Sequence, residues 1–152
     1  MRAVLCIRLA LLLATDPAPD AGFDADSDVS AVLSQARTYF ADLLAQRIPE
    51  VVEQSETPFY LEGRRVGSRG ELASKWTQNL ADKRLDLLAL YGIEILTPSE
   101  MLKRYGNPPS RLSTLPWRRP RTYLAVANIS GRATIAVFHR SAAGWRVAGF
   151  SD

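Results

Sequence analysis

The chain has 152 residues, of which 47% are hydrophobic, so its size suits one domain and its composition excludes wholesale disorder. Its net charge of +3 is uneven: residues 1–100 carry −5 and residues 101–152 carry +8, with Asp152 as the only acid after Glu100. This pattern predicts either an electropositive zone that attracts anions or, as we favour, arginines that are simply solvated.

The single cysteine, Cys6, and the single histidine, His139, limit the chemistry that is open to the chain. They exclude an internal disulfide, a cysteine metal cluster and any metal site with several histidines. No phosphate loop, dinucleotide glycine fingerprint or serine-nucleophile elbow is present in the sequence. We therefore expect neither a metal nor a cofactor.

Residues 1–27 have the pattern of a signal peptide followed by a flexible leader. A positively charged start precedes the apolar run Leu9–Ala14, and residues 15–28 are rich in Ala, Asp and Pro. The run is shorter than the ~20 residues of a membrane-spanning helix, so we expect no integral membrane segment. The pattern predicts a secreted or periplasmic protein with one domain over residues 28–152. The alternative is an unprocessed leader on a cytoplasmic protein.

Helices dominate the first half of the predicted domain. Apolar residues at helical spacing predict a first helix that starts near Ser27 or Asp28 and ends near Gln46 or Arg47. Pro49 disfavours helical geometry at the residue before it and suits the first turn of a short second helix.

A short strand and a capped helix are predicted next. Pro58–Gly63 reads as a short strand with a turn after it, and Ser68 and Glu71 have the spacing of a capping box. The helix that they open carries one apolar face, formed by Leu72, Trp76 and Leu80.

Residues 85–96 read as one or two strands with Gly92 as a break or bulge. Residues 97–100 predict a second capping box and a short helix. Residues 107–120 contain four prolines and predict an irregular segment. Trp117 in that segment is interpreted as a lid, as a partner contact, or as a side chain that packs on the sheet.

The last third reads as an antiparallel meander of three strands, Thr122–Asn128, Arg132–Arg140 and Gly144–Phe150, joined by tight turns. An antiparallel meander after a helical half predicts an α+β fold. In this fold the N-terminal helices pack on one curved, mostly antiparallel sheet.

The order of these elements resembles the nuclear-transport-factor-two-like superfamily, the cystatin-like α+β cone, over about Asp28 to Asp152. Thr57–Val66 and the terminal Gly144–Phe150 carry most of the resemblance, and uncharacterised secreted bacterial members look most similar. The resemblance implies a conical pocket between helices and sheet, and a homodimer. Superfamily members include isomerases, cyclases, dehydratases and epoxide hydrolases as well as proteins that only bind ligands or partners. No motif here allows a catalytic residue to be carried over.

Two titratable residues are candidates for a general base. His139 alternates with Ile135 and Val137, so it is a pocket base if that strand face lines the cone and a rim residue otherwise. Glu62 projects into a pocket or pairs with a neighbouring arginine such as Arg64 at the surface. In both cases the second interpretation is favoured.

The large aromatic residues give the candidate ligand-binding set, which consists of Tyr39, Phe59, Tyr60, Trp76 and Tyr123. Plain core packing is the alternative for these residues.

We predict an exported, non-enzymatic module that binds a small apolar or anionic molecule or a protein, with no nucleic-acid partner. The alternative is an isomerase, cyclase or hydrolase-like enzyme of the same fold. A third hypothesis is attachment of the basic third to anionic envelope components.

Overall fold

Four α-helices and six β-strands make up residues 25–107 and 110–152, the part of the chain that the computed structural model describes. The helices are α1 (Ala25–Leu44), α2 (Ile48–Glu53), α3 (Arg69–Ala81) and α4 (Pro98–Tyr105). The strands are β1 (Ser55–Leu61), β2 (Arg64–Val66), β3 (Leu90–Leu96), β4 (Thr122–Ile129), β5 (Arg132–Ser141) and β6 (Gly144–Ser151). Residues 1–24 of the predicted signal peptide and leader lie outside the described residues. Residues 25–27, predicted as the end of the flexible leader, belong to α1, so this helix includes residues before its predicted start at Ser27 or Asp28.

The strands form one mixed sheet in the order β2-β1-β6-β5-β4-β3. Neighbouring strands are antiparallel except β1 and β6, which run parallel. The predicted α+β fold is therefore confirmed, and each meander strand extends one residue beyond its predicted end. A register shift between Leu90 and Gly92 confirms the predicted irregularity in β3. The strand predicted from residue 85 begins only at Leu90, because Leu85–Leu87 form a 3₁₀ turn instead.

The first helix ends earlier than Pro49 alone implies. α1 stops at Leu44, and Gln46 takes a positive φ of 56°, which breaks the helical path before the proline is reached. The Arg47 amide then donates to the Asp42 carbonyl at 2.8 Å. Pro49 lies in the first turn of α2, as predicted.

A buried carboxylate joins α1 to α2. Asp42 accepts hydrogen bonds from Arg47 Nε at 2.7 Å and from Gln54 Nε2 at 2.8 Å. These charge-assisted bonds compensate the carboxylate for the loss of water and fix the turn between the two helices.

The strand predicted at Pro58–Gly63 is displaced. β1 starts at Ser55 and ends at Leu61, because Glu62 and Gly63 both take positive φ values, 48° and 78°, and form the turn into β2. The predicted turn is present, but it consists of Glu62 and Gly63, which the prediction had assigned to the strand.

The capping box predicted for α4 is complete, whereas only one of the two hydrogen bonds predicted for the α3 box forms as expected. Thr97 Oγ1 accepts from the Glu100 amide at 3.2 Å, and Glu100 accepts from the Thr97 amide at 2.7 Å, which completes the capping box of α4. Ser68 Oγ accepts from the Glu71 amide at 3.2 Å, whereas the Glu71 carboxylate accepts from Gly67 rather than from Ser68. In α3 the hydrogen bond to the glutamate side chain therefore comes from the residue before the N-cap.

Helices α1, α2 and α3 cover one face of the sheet, which we call the inner face. The core between them combines aliphatic residues with eight aromatic ones, which are Tyr39, Phe40, Phe59, Trp76, Tyr123, Phe138, Trp145 and Phe150. The rings of Trp76 and Phe150 meet edge-on with centroids 4.9 Å apart. Most of the cone implied by the resemblance is therefore filled by side chains.

The opposite, outer face of the sheet is covered by α4 and residues 110–117. Met101, Leu112 and Leu115 pack there, together with Trp117, against an apolar strand surface formed by Leu124, Ile135, Val137 and Ala148. Trp117 is thus the side chain that packs on the sheet, the third of its three interpretations. A homodimer built through this face would have to bury the covering segment as well, and the homodimer stays a prediction.

Candidate functional site

A cavity of about 360 Å³ opens on the helix-covered side of the sheet. It lies where α1 and α3 end, beside a 3₁₀ turn at Leu85–Leu87, the start of β5 and the end of β6. Nine of its lining residues are apolar: Leu43, Leu44, Trp76, Leu80, Leu85, Leu87, Leu88, Ile129 and Phe150. The surface suits an apolar ligand.

The charged residues of the lining are mostly basic. They are Lys83, Arg84, Arg132 and Asp152. Lys83 forms an ion pair with Asp152, and Arg84 pairs with Asp86 at 3.0 Å. Arg132 has no ion pair within residues 25–107 and 110–152, so it is the cation of the lining that is open to a bound anion.

The turn between β4 and β5 places Arg132 at this cavity. Asn128 Oδ1 accepts from the Gly131 amide at 2.8 Å, and Gly131 takes a φ of 85° that a side chain would disfavour. Arg132 begins β5 directly after this turn and pairs in register with Ile129. The local turn chemistry therefore fixes both a cation and an apolar side chain at the cavity.

Two leucines of the lining also face solvent. Leu87 is 67% exposed and Leu88 is 36% exposed, whereas Leu85 in the same turn is buried and anchors it. The mouth of the cavity thus presents apolar surface to water, which favours its coverage by an apolar ligand.

The predicted ligand-binding aromatics are divided by the structure. Trp76 lines the cavity. Tyr39, Phe59 and Tyr123 lie in the same inner core but do not line it, and Tyr60 packs on the outer face. For the latter four residues the geometry is that of core packing, and their binding role stays a prediction.

Three buried donors of the inner core have no hydrogen-bond partner among the described residues. They are the Tyr39 hydroxyl and the indole N–H groups of Trp76 and Trp145. Burial raises the pKa of Tyr39 well above its usual range. The nearby Ser55 hydroxyl opposes this effect in part, although it donates to the Val51 carbonyl and does not meet hydrogen-bond geometry with Tyr39. Buried donors of this kind usually meet an acceptor.

Glu62 lies outside the cavity, in a polar groove of about 570 Å³ between the β1–β2 turn and α3. Its carboxylate accepts from the Asp152 amide at 3.0 Å and from the Ser151 hydroxyl at 3.3 Å. No ion pair with Arg64 or Arg65 forms within the described ranges. Burial raises the pKa of Glu62, and the nearby charge of Asp152 adds to this effect.

Glu62→Gln should change how stability depends on pH. Because the folded-state pKa is raised, protonated Glu62 is favoured on folding; its contribution is present at low pH and lost as the pH rises past the ordinary value of 4.5. The free energy of unfolding of Glu62→Gln relative to wild type should therefore increase from about pH 4 to about pH 7. Urea denaturation across this pH range measures the difference.

Glu100→Gln is the control for this experiment. The Thr97 amide lowers the pKa of Glu100, so its variant should lose stability relative to wild type over the same pH range. Equal trends for the two variants would contradict the assignment at Glu62.

His139 lies on the outer face with Ile135 and Val137, as strand alternation predicted, and this face does not line the cone. Its Nδ1 is 3.1 Å from one oxygen of Glu56, whose other oxygen accepts from Arg119 Nη1 at 3.1 Å. The arrangement is a half-buried charged cluster away from the cavity. Glu56 and Arg119 had no signal in the sequence that linked them to His139.

Three of the nine basic residues of the last third form ion pairs with acids from earlier in the chain. The pairs are Arg104 with Glu94, Arg119 with Glu56, and Arg140 with Asp28. Arg146 donates to the Glu53 carbonyl. The other basic residues of the last third form no ion pair within the described residues, so the electropositive zone and the solvated arginines both stay predictions.

Within the described part of the chain, no helix has the length and apolar character to cross a membrane. The same residues contain no group of three His, Cys, Asp or Glu side chains arranged to hold a metal ion.

No protein-family model and no curated protein matches the chain. Among solved structures, an NTF2-like protein with a cystatin-like fold from Novosphingobium aromaticivorans is similar, with a TM-score of 0.51 and 14% identity over 83% of this chain and 80% of that one. A domain of unknown function with a cystatin-like fold from Nostoc punctiforme gives 0.49 and 14% over 82% and 75%. An NTF2-like family protein from Streptomyces avermitilis, suggested to be a dehydratase, gives 0.48 and 16% over 83% and 94%.

The chain therefore has the cystatin-like fold of the NTF2-like proteins, and the resemblance seen in the sequence is confirmed at the level of the fold. Identity this low carries no activity from those proteins to this one. The likeness to secreted members stays a prediction.

Proposed function

We propose that the protein is an exported, non-enzymatic binding module and that the 360 Å³ cavity is its site. Its ligand is a small, largely apolar molecule that carries an anionic group. The observation that carries the proposal is an apolar lining with one open cation, Arg132, at the start of β5. Export rests on the leader pattern, and the intact mass of protein recovered from the medium or periplasm tests it.

The chemistry of the lining supports this ligand class. Transfer of apolar surface out of water is worth about 25 cal/mol per Å², and the exposed Leu87 and Leu88 gain from being covered. A carboxylate near Arg132 gains Coulomb attraction without displacing an existing ion pair. The volume lies at the lower end of the ~300–1,000 Å³ of small-molecule sites, which favours a small ligand.

The positions of the titratable groups favour binding over base catalysis. Glu62 and His139, the candidate bases, lie outside the lining, and the one carboxylate of the lining among the described residues, Asp152, is paired with Lys83. A general base has to reach the proton that it removes. The enzyme of the same fold therefore remains the second hypothesis.

Arg132→Ala should weaken the binding of octanoate roughly threefold to tenfold and leave the binding of 1-octanol unchanged. The two probes share their chain and differ in charge, so the comparison isolates the interaction with the guanidinium. Added salt should reduce the difference in affinity between octanoate and 1-octanol for the wild-type protein, because it screens the attraction between carboxylate and guanidinium. Isothermal titration calorimetry at low and high salt measures both effects.

Arg37→Ala is the matched control, since Arg37 is an exposed arginine of α1 that does not line the cavity. It should leave the affinity for octanoate unchanged. Equal losses in the two variants would refute the anion site, and absence of binding by both probes to the wild type would refute the proposed function.

A further inference from the structure

Thr134 brings a hydroxyl to the wall of the cavity. The residue lines the cavity although it is only 3% exposed. Its hydroxyl has no hydrogen bond with any described residue, and, unlike the enclosed donors of Tyr39, Trp76 and Trp145, its oxygen keeps accessible surface. Because the rest of the residue is buried, a ligand in the cavity can reach this oxygen.

Strand geometry puts Thr134 on the same face of β5 as Arg132. Side chains two positions apart point to the same side of a strand, with their backbone positions about 7 Å apart. Ala136 and Phe138 continue this alternation and lie in the inner core. Arg132 is exposed and Thr134 is buried, so the cation stands at the mouth of the cavity and the hydroxyl stands deeper along the same strand.

An acceptor oxygen that enters the cavity meets few other donors. The remaining charged residues of the lining, Lys83, Arg84 and Asp152, are all engaged in ion pairs. Within the described part of the chain, Arg132 and Thr134 are therefore the accessible polar side chains of the lining that have no partner. A buried hydroxyl without a partner has lost its hydrogen bonds to water, so a ligand that supplies an acceptor is favoured.

We propose that Thr134 and Arg132 hold the same carboxylate of the ligand, one oxygen accepting from the hydroxyl and the other from the guanidinium. A carboxylate suits this pair because its two oxygens accept several hydrogen bonds, and bonds to a charged acceptor are stronger than bonds to a neutral one. The ligand class is then a carboxylic acid whose acid group ends an apolar chain, and Thr134 is a residue that determines this specificity. This inference rests on the proposed function.

Thr134→Val tests the inference, because valine keeps the branched shape of threonine and lacks its hydroxyl. The variant should bind octanoate about tenfold more weakly than wild type, the effect of one hydrogen bond to a charged acceptor. Thr134→Ser keeps the hydroxyl and should stay within about twofold of wild type. Thr122→Val is the control, since it removes the hydroxyl of a buried threonine that does not line the cavity, and it should leave the affinity unchanged.

A double-mutant cycle with Arg132→Ala shows whether the two residues share one carboxylate. Without the guanidinium the carboxylate is no longer held beside Thr134, so Thr134→Val should weaken octanoate binding less than about threefold in this background. Residues that bind separate parts of the ligand would give the same factor in both backgrounds. Isothermal titration calorimetry on the four proteins measures the affinities, and circular dichroism checks that each variant is folded.

The outcomes separate the two proposals. If octanoate does not bind the wild type, the proposed function fails. If Arg132→Ala weakens binding but Thr134→Val does not, the role of Thr134 is overturned and the binding function stands. A loss that is equal in Thr134→Ser and Thr134→Val also overturns it, because packing and not the hydroxyl is then responsible. An equal factor for Thr134→Val in both backgrounds overturns the shared carboxylate.

Discussion

Trp117→Ala is expected to lower the free energy of unfolding by about 3–5 kcal/mol. The side chain is 2% exposed and packs with Leu112 and Leu115 on the outer face of the sheet. Its removal leaves a void that rigid strands cannot close, and it also removes the ring over which the Arg118 guanidinium lies, 4.7 Å from the centroid. Urea denaturation monitored by circular dichroism measures the change.

Leu102→Ala is the control, because Leu102 belongs to the same covering segment but is 40% exposed. Its variant should stay within about 0.5 kcal/mol of wild type. A lid or partner-contact tryptophan would behave like Leu102 and leave stability unchanged. A loss of less than about 1 kcal/mol in the free energy of unfolding for Trp117→Ala would therefore contradict the packing of Trp117 on the outer face of the sheet.

Local chemistry accounts for what the sequence predicts correctly. Thr97 and Glu100 meet within one helical turn, Pro49 acts on its own φ and on the preceding residue, and alternation places His139 with Val137 whatever lies on either face. Each of these inferences needs only residues a few positions apart. They recover the order of elements and the meander, and through them the fold class.

The cavity depends on contacts that no local pattern contains. Leu43, Leu80, Ile129 and Phe150 meet because four elements end at the same corner of the sheet. The contact between Glu56 and His139 could not be predicted from the sequence either, because the two residues are 83 positions apart. Sequence alternation separates Phe59 from Tyr60, but it does not say which strand face the helices cover.

The covered face also explains why the predicted aromatic site is mostly core. Rings large enough to line a pocket are equally able to fill it, and edge-on contacts such as Tyr39 with Phe138 close the space between α1 and the sheet. What remains open is the corner where the helices have ended, and leucines rather than aromatics form most of its apolar lining. Trp76 spans both regions, which makes it the one predicted ligand residue at the cavity.

Phe138→Ala is expected to cost about 3–5 kcal/mol in the free energy of unfolding. Phe138 is fully buried on the inner face in the central strand β5, and its ring meets Tyr39 edge-on with centroids 6.4 Å apart. Alanine would leave a cavity between strand and helix and would remove the aromatic contact. Phe138→Leu retains most of the side-chain volume and should lose less stability than Phe138→Ala. The comparison separates the effect of the void from the effect of losing the aromatic ring.

The neighbouring residue supplies the control, since His139 points to the opposite face. It is 28% exposed at its side chain, and its partner Glu56 keeps the ion pair with Arg119 when the imidazole is removed. No buried charge is left without a partner, so His139→Ala should cost about 1 kcal/mol or less. Equal losses of stability at Phe138 and His139 would contradict the assignment of the two faces. Consecutive residues of a strand point to opposite faces, so Phe138 lies in the helix-covered core whereas His139 lies in a partly exposed cluster.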